Sequence, residues 1–166
     1  MVGVDLSEPQ LLRAQKNAPY ASFVRGDMTR MGFRESAFDL VTNFWAGYCY
    51  LGSQDRIAAL LQKVVGCLRM GGCLYFEVLL PQDLESFNRS KFSGRTGFLV
   101  TPRSSDFTEW QYDDAGGRHL MMSPPLEFFL NLLTPHFRQI EAHHDLAFMI
   151  HLIANGKKVS EQHVVK

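Results

Sequence analysis

Apolar residues recur with two different periods along this chain, and the switches between them mark out its elements. Val2-Gly3-Val4-Asp5-Leu6 is a short β-forming run, which predicts a strand. Ser7 follows as a helix cap, with Gln10 three residues later to complete a capping box. Pro9 lies in the first turn, where amide donors lack helical partners anyway. That helix is expected to reach Asn17 and to stop at Ala18-Pro19. Ser22 to Arg25 predicts a second strand, closed by the turn Gly26-Asp27. Ala37 to Phe44 predicts a third, apolar over most of its length as expected of a strand covered on both faces. From Ser53 the period changes: Ile57, Leu60, Leu61, Val64, Val65 and Leu68 fall on one helical face. Gly71-Gly72 is expected to end this helix, and Cys73 to Leu80 predicts a fourth strand. Strands joined through helices by short connections imply parallel pairing.

After Pro81 the pattern loosens. Residues 82–106 are polar and rich in Ser, Arg and Gly. Phe107 to Tyr112 and Arg118 to Met122 flank Asp113-Asp114-Ala115-Gly116-Gly117 and predict a β-hairpin. Ser123-Pro124 is expected to open another helix, with Leu126, Phe129, Leu130 and Leu133 on one face. Arg138 to Asp145 and Ala147 to Ala154 predict two terminal strands, and the residues after Asn155 a frayed tail. The expected fold class is α/β, as one domain over 1–166 with a variable insertion at 82–122 that carries the hairpin.

Composition narrows the functions. The 46% of hydrophobic residues suffices for a sizeable core. A formal net charge of +0, from 17 basic and 17 acidic residues, argues against nucleic acid as an obligatory partner. The longest apolar runs, such as Cys73 to Pro81, fall well short of the roughly 20 residues of a membrane span. No basic stretch followed by an apolar run opens the chain, so a cytoplasmic protein is expected. Cys49, Cys67 and Cys73 are odd in number and form no CxxC, which favours neither a disulfide framework nor a zinc site. His119, His136, His143, His144, His151 and His163 lack metal-ligand spacing, and His143-His144 would point to opposite faces of a strand. No metal is expected.

Four places carry candidate chemistry. Asp5, at the end of a strand, is placed either to accept from ribose hydroxyls or merely to cap the next helix. Asp27 follows the next strand at the same edge, where it is either a turn residue or an acceptor for an adenine amino group, with the Met28 amide as donor to the ring. Asn43, Phe44 and Trp45 end the third strand, where open α/β sheets hold ligands, and lead into the aromatic run Ala46-Gly47-Tyr48-Cys49-Tyr50. Aromatic faces there suit a sulfonium or simply a core. In the hairpin, Trp110, Tyr112, His119 and Met121-Met122 offer an apolar lining with a few polar groups, suited to a small molecule or to a homodimer interface. Ser7 and Cys49 have no evident partner base.

Taken in order, VGVDLS, FVRGDM, FDLVTNFWAGYCYL, a long helix ending in LRMGG, and CLYFEVL resemble the class I S-adenosylmethionine-dependent methyltransferases of small-molecule type. HFRQIEAHHD and AFMIHLIANGKK resemble that family's closing antiparallel strands. The resemblance implies a Rossmann-like methyltransferase sheet, mostly parallel, with an antiparallel C-terminal strand pair. It implies S-adenosylmethionine as cofactor, held by Asp5, Leu6, Asp27, Met28, Asn43, Phe44 and Trp45, and a small-molecule methyl acceptor. Should the acceptor have to lose a proton, Tyr48, Tyr50 and His119 are the candidate bases. The family's glycine-rich loop and the strand before it do not precede Val2 in this sequence, so impaired methyl transfer by this chain alone is expected. Two other classes stay open: a non-catalytic or partner-dependent methyltransferase-like remnant, and an NAD-dependent oxidoreductase, whose ribose Asp5 would also suit.

Overall fold

The computed structural model describes residues 1–144 and 149–159. Residues 145–148, on which ends of the two expected terminal strands fall, and residues 160–166, with His163, lie outside the described residues. The chain divides into two compact units, Met1–Arg34 and Glu35–Lys166.

The first unit is strand β1 (Val2–Asp5), helix α1 (Glu8–Asn17) and strand β2 (Ser22–Arg25). β1 and β2 run parallel, Val2 opposite Ser22 through Asp5 opposite Arg25. Gly3 faces Phe23 across the ladder, and a Cβ on Gly3 would lie 2.7 Å from the Phe23 ring. The missing side chain is what lets that ring lie over β1. The expected capping box does not form: Ser7 occupies the cap position, but its side chain accepts no bond. The Asp5 carboxylate instead accepts from the Ser7 amide at 2.7 Å, a local turn that competes with the cap. α1 has no buried residue, and Ala21 alone is buried in this unit, while Leu6, Leu12 and Tyr20 stand exposed.

The second unit is built on strand β3 (Phe38–Asn43), helix α2 (Gln54–Cys67) and strand β4 (Leu68–Leu79). Short helices α3 (Pro81–Phe87) and α4 (Lys91–Thr96) and a small sheet of β5 (Thr101–Pro102), β6 (Glu109–Asp114) and β7 (Gly117–Met122) follow. Helix α5 (Leu126–Leu133) and strands β8 (Phe137–His144) and β9 (Met149–Lys157) complete it. The main sheet has the order β3-β4-β9-β8; β3 and β4 are parallel, and β9 is antiparallel to both β4 and β8. Alternation along β4 sets its two faces. Leu74, Phe76 and Val78 are buried, together with Ile57, Leu60, Leu61 and Val65 of α2 and Phe129 and Leu133 of α5. Tyr75 and Glu77, on the opposite face, are half-buried. Among the described residues β1 is paired only along its β2 edge and β3 only along its β4 edge.

Several expected boundaries shift; β9 runs on to Lys157, where a frayed tail after Asn155 was expected. α2 ends at Cys67 rather than at Gly71-Gly72, because Leu68 turns extended, is fully buried and pairs with Phe38. The Lys157 ammonium meets this helix end, donating to the Leu68 carbonyl at 2.5 Å. Gly71 does adopt a left-handed φ of 75°, but within β4, where the register jumps from Phe38–Leu68 to Leu40–Cys73. The helix expected from Ser123-Pro124 begins at Leu126, because the Ser123 hydroxyl is engaged in the core instead of capping. The hairpin forms as expected, with Asp114 opposite Gly117 at its tip. The polar stretch before it is ordered by Asn88, whose side chain exchanges two 2.8 Å bonds with the Val100 backbone. No described helix is long and apolar enough to cross a membrane.

Candidate functional site

In the first unit, parallel pairing brings the carboxyl ends of β1 and β2 together. The Gly26 amide donates to the Asp5 carbonyl at 3.0 Å, so Asp5 and Asp27 occupy one edge of the sheet. Asp5 spends one carboxylate oxygen on the Ser7 amide. Asp27 Oδ1 accepts from the amide and hydroxyl of Thr29 at 2.8 and 2.7 Å, and Oδ2 lies 3.8 Å from Arg30 Nε. Leu6 beside Asp5 is exposed and Met28 is half-buried. Asp27 thus takes the turn role weighed for it, whereas Asp5 turns onto the Ser7 amide rather than capping α1.

In the second unit the chain leaves β3 through Asn43, Phe44 and Trp45. Asn43 Oδ1 is buried and has no hydrogen-bond partner among the described residues, a costly state for an amide oxygen. Phe44 is half-exposed and packs at 5.4 Å on the Tyr75 ring, while Trp45 is 82% exposed. Trp45 and Ala46 both take left-handed φ values, 57° and 47°. The Trp45 amide donates to Glu77 Oε2 at 2.6 Å. Sequence reasoning passed over Glu77, although a lone carboxylate in the apolar strand run CLYFEVLL was a visible signal.

The three candidate bases separate. Tyr48 is removed from the set: it is fully buried, stacks on Phe76 at 5.2 Å and packs edge-on to Phe129. Its hydroxyl accepts from the Leu79 amide at 3.1 Å, and burial pushes its pKa well above the ordinary value. It is a core residue. Tyr50 and His119 do come together. The Tyr50 hydroxyl is hydrogen-bonded to that of Tyr112, and His119 stacks on the Tyr112 ring at 4.5 Å. His119 Nε2 lies 2.9 Å from Asp114 Oδ1. Burial and the Tyr50 contact raise the Tyr112 pKa, and the His119 bond holds the Asp114 carboxyl below its usual range.

The expected acceptor lining is mostly core. Trp110, Met121 and Met122 are buried, and the Trp110 indole donates to Ser123 Oγ at 2.9 Å. A depression of about 150 Å³ lined by Gly52, Arg103, Glu109, Trp110, Leu120 and Met121 is smaller than ordinary ligand pockets. Among the described residues no group of three His, Cys, Asp or Glu side chains could hold a metal ion.

Comparison with known proteins shows what the chain resembles. Residues 1–72 match the family model described as a methyltransferase domain. Over 83 residues the chain is 34% identical to phthiotriol/phenolphthiotriol dimycocerosates methyltransferase 1 of Mycobacterium ulcerans and 35% identical to its counterpart in Mycobacterium leprae. The match covers 49% of this chain but 29% of each relative, so the chain aligns with less than a third of the length of these curated relatives. In fold it is similar to an S-adenosylmethionine-dependent methyltransferase from Clostridium acetobutylicum, with a TM-score of 0.59, 16% identity, and coverage of 93% of this chain and 74% of the other. It is equally similar to an amino pentose methyltransferase from Micromonospora echinaspora solved with S-adenosylmethionine bound, with a TM-score of 0.59, 18% identity, and coverage of 94% and 73%. The fold is thus that of the Rossmann-like S-adenosylmethionine-dependent methyltransferases, a mixed sheet of parallel and antiparallel strands. The resemblance read from the motifs holds over residues 1–72, which match that family model.

Proposed function

We propose that this protein takes part in methyl transfer from S-adenosylmethionine to a small-molecule acceptor. The observation that carries the reading is the pair of carboxylates, Asp5 and Asp27, at the carboxyl ends of adjacent parallel strands. Asp5 would accept from the ribose hydroxyls beside Leu6, and Asp27 would exchange its local turn contacts for the adenine amino group, with the Met28 amide donating to the ring. In the second unit, the unpartnered Asn43 oxygen fits a ligand donor, and the exposed Phe44 and Trp45 rings fit a cation. Bound S-adenosylmethionine supplies an electrophilic methyl carbon. The chain's own part is then to hold and orient, which is worth several kcal/mol. For an acceptor that must lose a proton, His119 is the better base of the two that remain. If Nε2–H donates to Asp114, Nδ1 is left as the proton acceptor.

The 166 residues contain no Gly-x-Gly-x-Gly run, the feature that allows backbone to approach the methionine half closely. Weak cofactor binding and impaired turnover by this chain alone are therefore part of the proposal. The edges of β1 and β3 that have no strand partner among the described residues favour a second reading, a partner-dependent or non-catalytic methyltransferase-like subunit, homodimers included. A cytoplasmic location also belongs to the proposal, in keeping with three free thiols. Thermal-shift titration with S-adenosylhomocysteine and with NAD tests the cofactor. Stabilisation by S-adenosylhomocysteine alone supports methyl transfer; stabilisation by NAD alone would support the oxidoreductase; no shift with either would support the non-catalytic subunit.

A further inference from the structure

We infer that Glu77 is the positioning residue of the turn that presents Trp45. This rests on the proposed role of Trp45 in cofactor binding and adds a residue from a different strand. The turn after β3 is unfavourable as it stands. Two consecutive residues with a Cβ, Trp45 and Ala46, sit in the left-handed region at φ 57° and 47°. Trp45 is 82% exposed, so packing does little to hold it. What fixes the conformation from outside is Glu77 on β4, whose Oε2 accepts from the Trp45 amide at 2.6 Å. A carboxylate acceptor makes this a charge-assisted bond, stronger than a neutral one.

Glu77 is itself held. Its side chain is only 15% exposed, and its other oxygen, Oε1, accepts from the Tyr75 hydroxyl at 3.1 Å. The Tyr75 oxygen lies 2.5 Å from His151 Nδ1. A hydroxyl has one proton, so Tyr75 donates it to Glu77 and accepts from Nδ1–H of His151. The chain of bonds thus runs from His151 on β9 through Tyr75 and Glu77 on β4 to the Trp45 backbone. Adjacent strands β4 and β9, with Glu77 opposite His151, give it a rigid base. Phe44, packed on Tyr75, rides on the same support. Two side chains proposed to meet the cofactor, Phe44 and Trp45, are therefore set from one point in the neighbouring strand.

Hydrogen exchange at the Trp45 amide, followed by NMR in the ligand-free protein, tests the holding role. The wild-type amide is expected to exchange roughly tenfold or more slowly than an unbonded exposed amide. Exchange at the free-peptide rate would overturn the inference whether or not any variant folds. Glu77→Leu, with its fold checked by circular dichroism, is expected to raise the rate roughly tenfold. Glu77→Gln keeps an acceptor oxygen and should restore protection. A folded Glu77→Leu protein with wild-type exchange would also overturn it. Titration with S-adenosylhomocysteine then tests positioning for the ligand. Glu77→Leu and Trp45→Ala should each weaken binding, and the double variant should lose no more than the worse single variant. Additive losses would mean that Glu77 does not act through Trp45. Failure of the wild type to bind at all would count against the cofactor role of Trp45, and the exchange data would still decide whether Glu77 holds the turn.

Discussion

Ser123 Oγ accepts a 2.9 Å hydrogen bond from the indole nitrogen of Trp110, and both residues are buried. The same oxygen lies 3.4 Å from Cys49 Sγ, in the turn that follows β3. One hydroxyl therefore ties the base of the β6–β7 hairpin to the strand end where the candidate site lies. Ser123→Ala should leave the indole N–H buried and unpaired, at a cost of roughly 1–3 kcal/mol. Urea denaturation reads this directly. A change within about 0.5 kcal/mol, the range of an ordinary surface substitution, would show that the bond does not secure the hairpin.

Cys49 adds a pH dependence to that junction. Burial pushes its thiol up to about 12 from an ordinary 9.0. The folded protein thus keeps a proton that the unfolded chain loses, so the contribution is complete below about pH 9 and declines as the pH rises toward 12. Tyr48, whose pKa is also raised by burial, acts in the same direction. The urea midpoint should fall between pH 8 and roughly pH 10.5, and Cys49→Ser should show a smaller fall. A midpoint equally independent of pH in both proteins would contradict the buried, neutral thiol.

Lys157 closes the end of α2. Its ammonium donates to the carbonyls of Leu68 and Gly66, at 2.5 and 3.5 Å, where a helix presents unpaired acceptors. Lys157→Met keeps the aliphatic stem and removes the charge. Stability should fall by about 1 kcal/mol, as expected for a cation lost from a helix C-terminus. An unchanged melting curve would assign the end of α2 wholly to the pairing of Leu68 with Phe38.

The order of strands and helices was legible because each long element carries one clear period. Ile57 to Leu68 spells a helix, and Cys73 to Leu80 a strand. The boundary between them was not, because the stop at Cys67 comes from the cross-strand partner Phe38 and from Lys157, both distant in sequence. The common sheet edge of Asp5 and Asp27 was legible because it depends only on position after consecutive strands. Placement was not legible where burial decides. Tyr48 and Trp110 read as site aromatics, but the Leu79 backbone and the Ser123 hydroxyl satisfy their polar atoms inside the core. Glu77 escaped notice because its partner, the Trp45 amide, carries no mark in the sequence.

Calorimetric titration of the 166-residue chain with S-adenosylhomocysteine, alongside Asp5→Ala, tests the proposed methyltransferase function most directly. The wild type should bind saturably but weakly, with a Kd of roughly 10 μM to 1 mM in the absence of a glycine-rich loop. Asp5→Ala should weaken that binding by roughly 1–3 kcal/mol while leaving the fold intact. No binding by the wild type at millimolar ligand, or equal binding by both proteins, would contradict the assignment of Asp5 and its strand end to the cofactor.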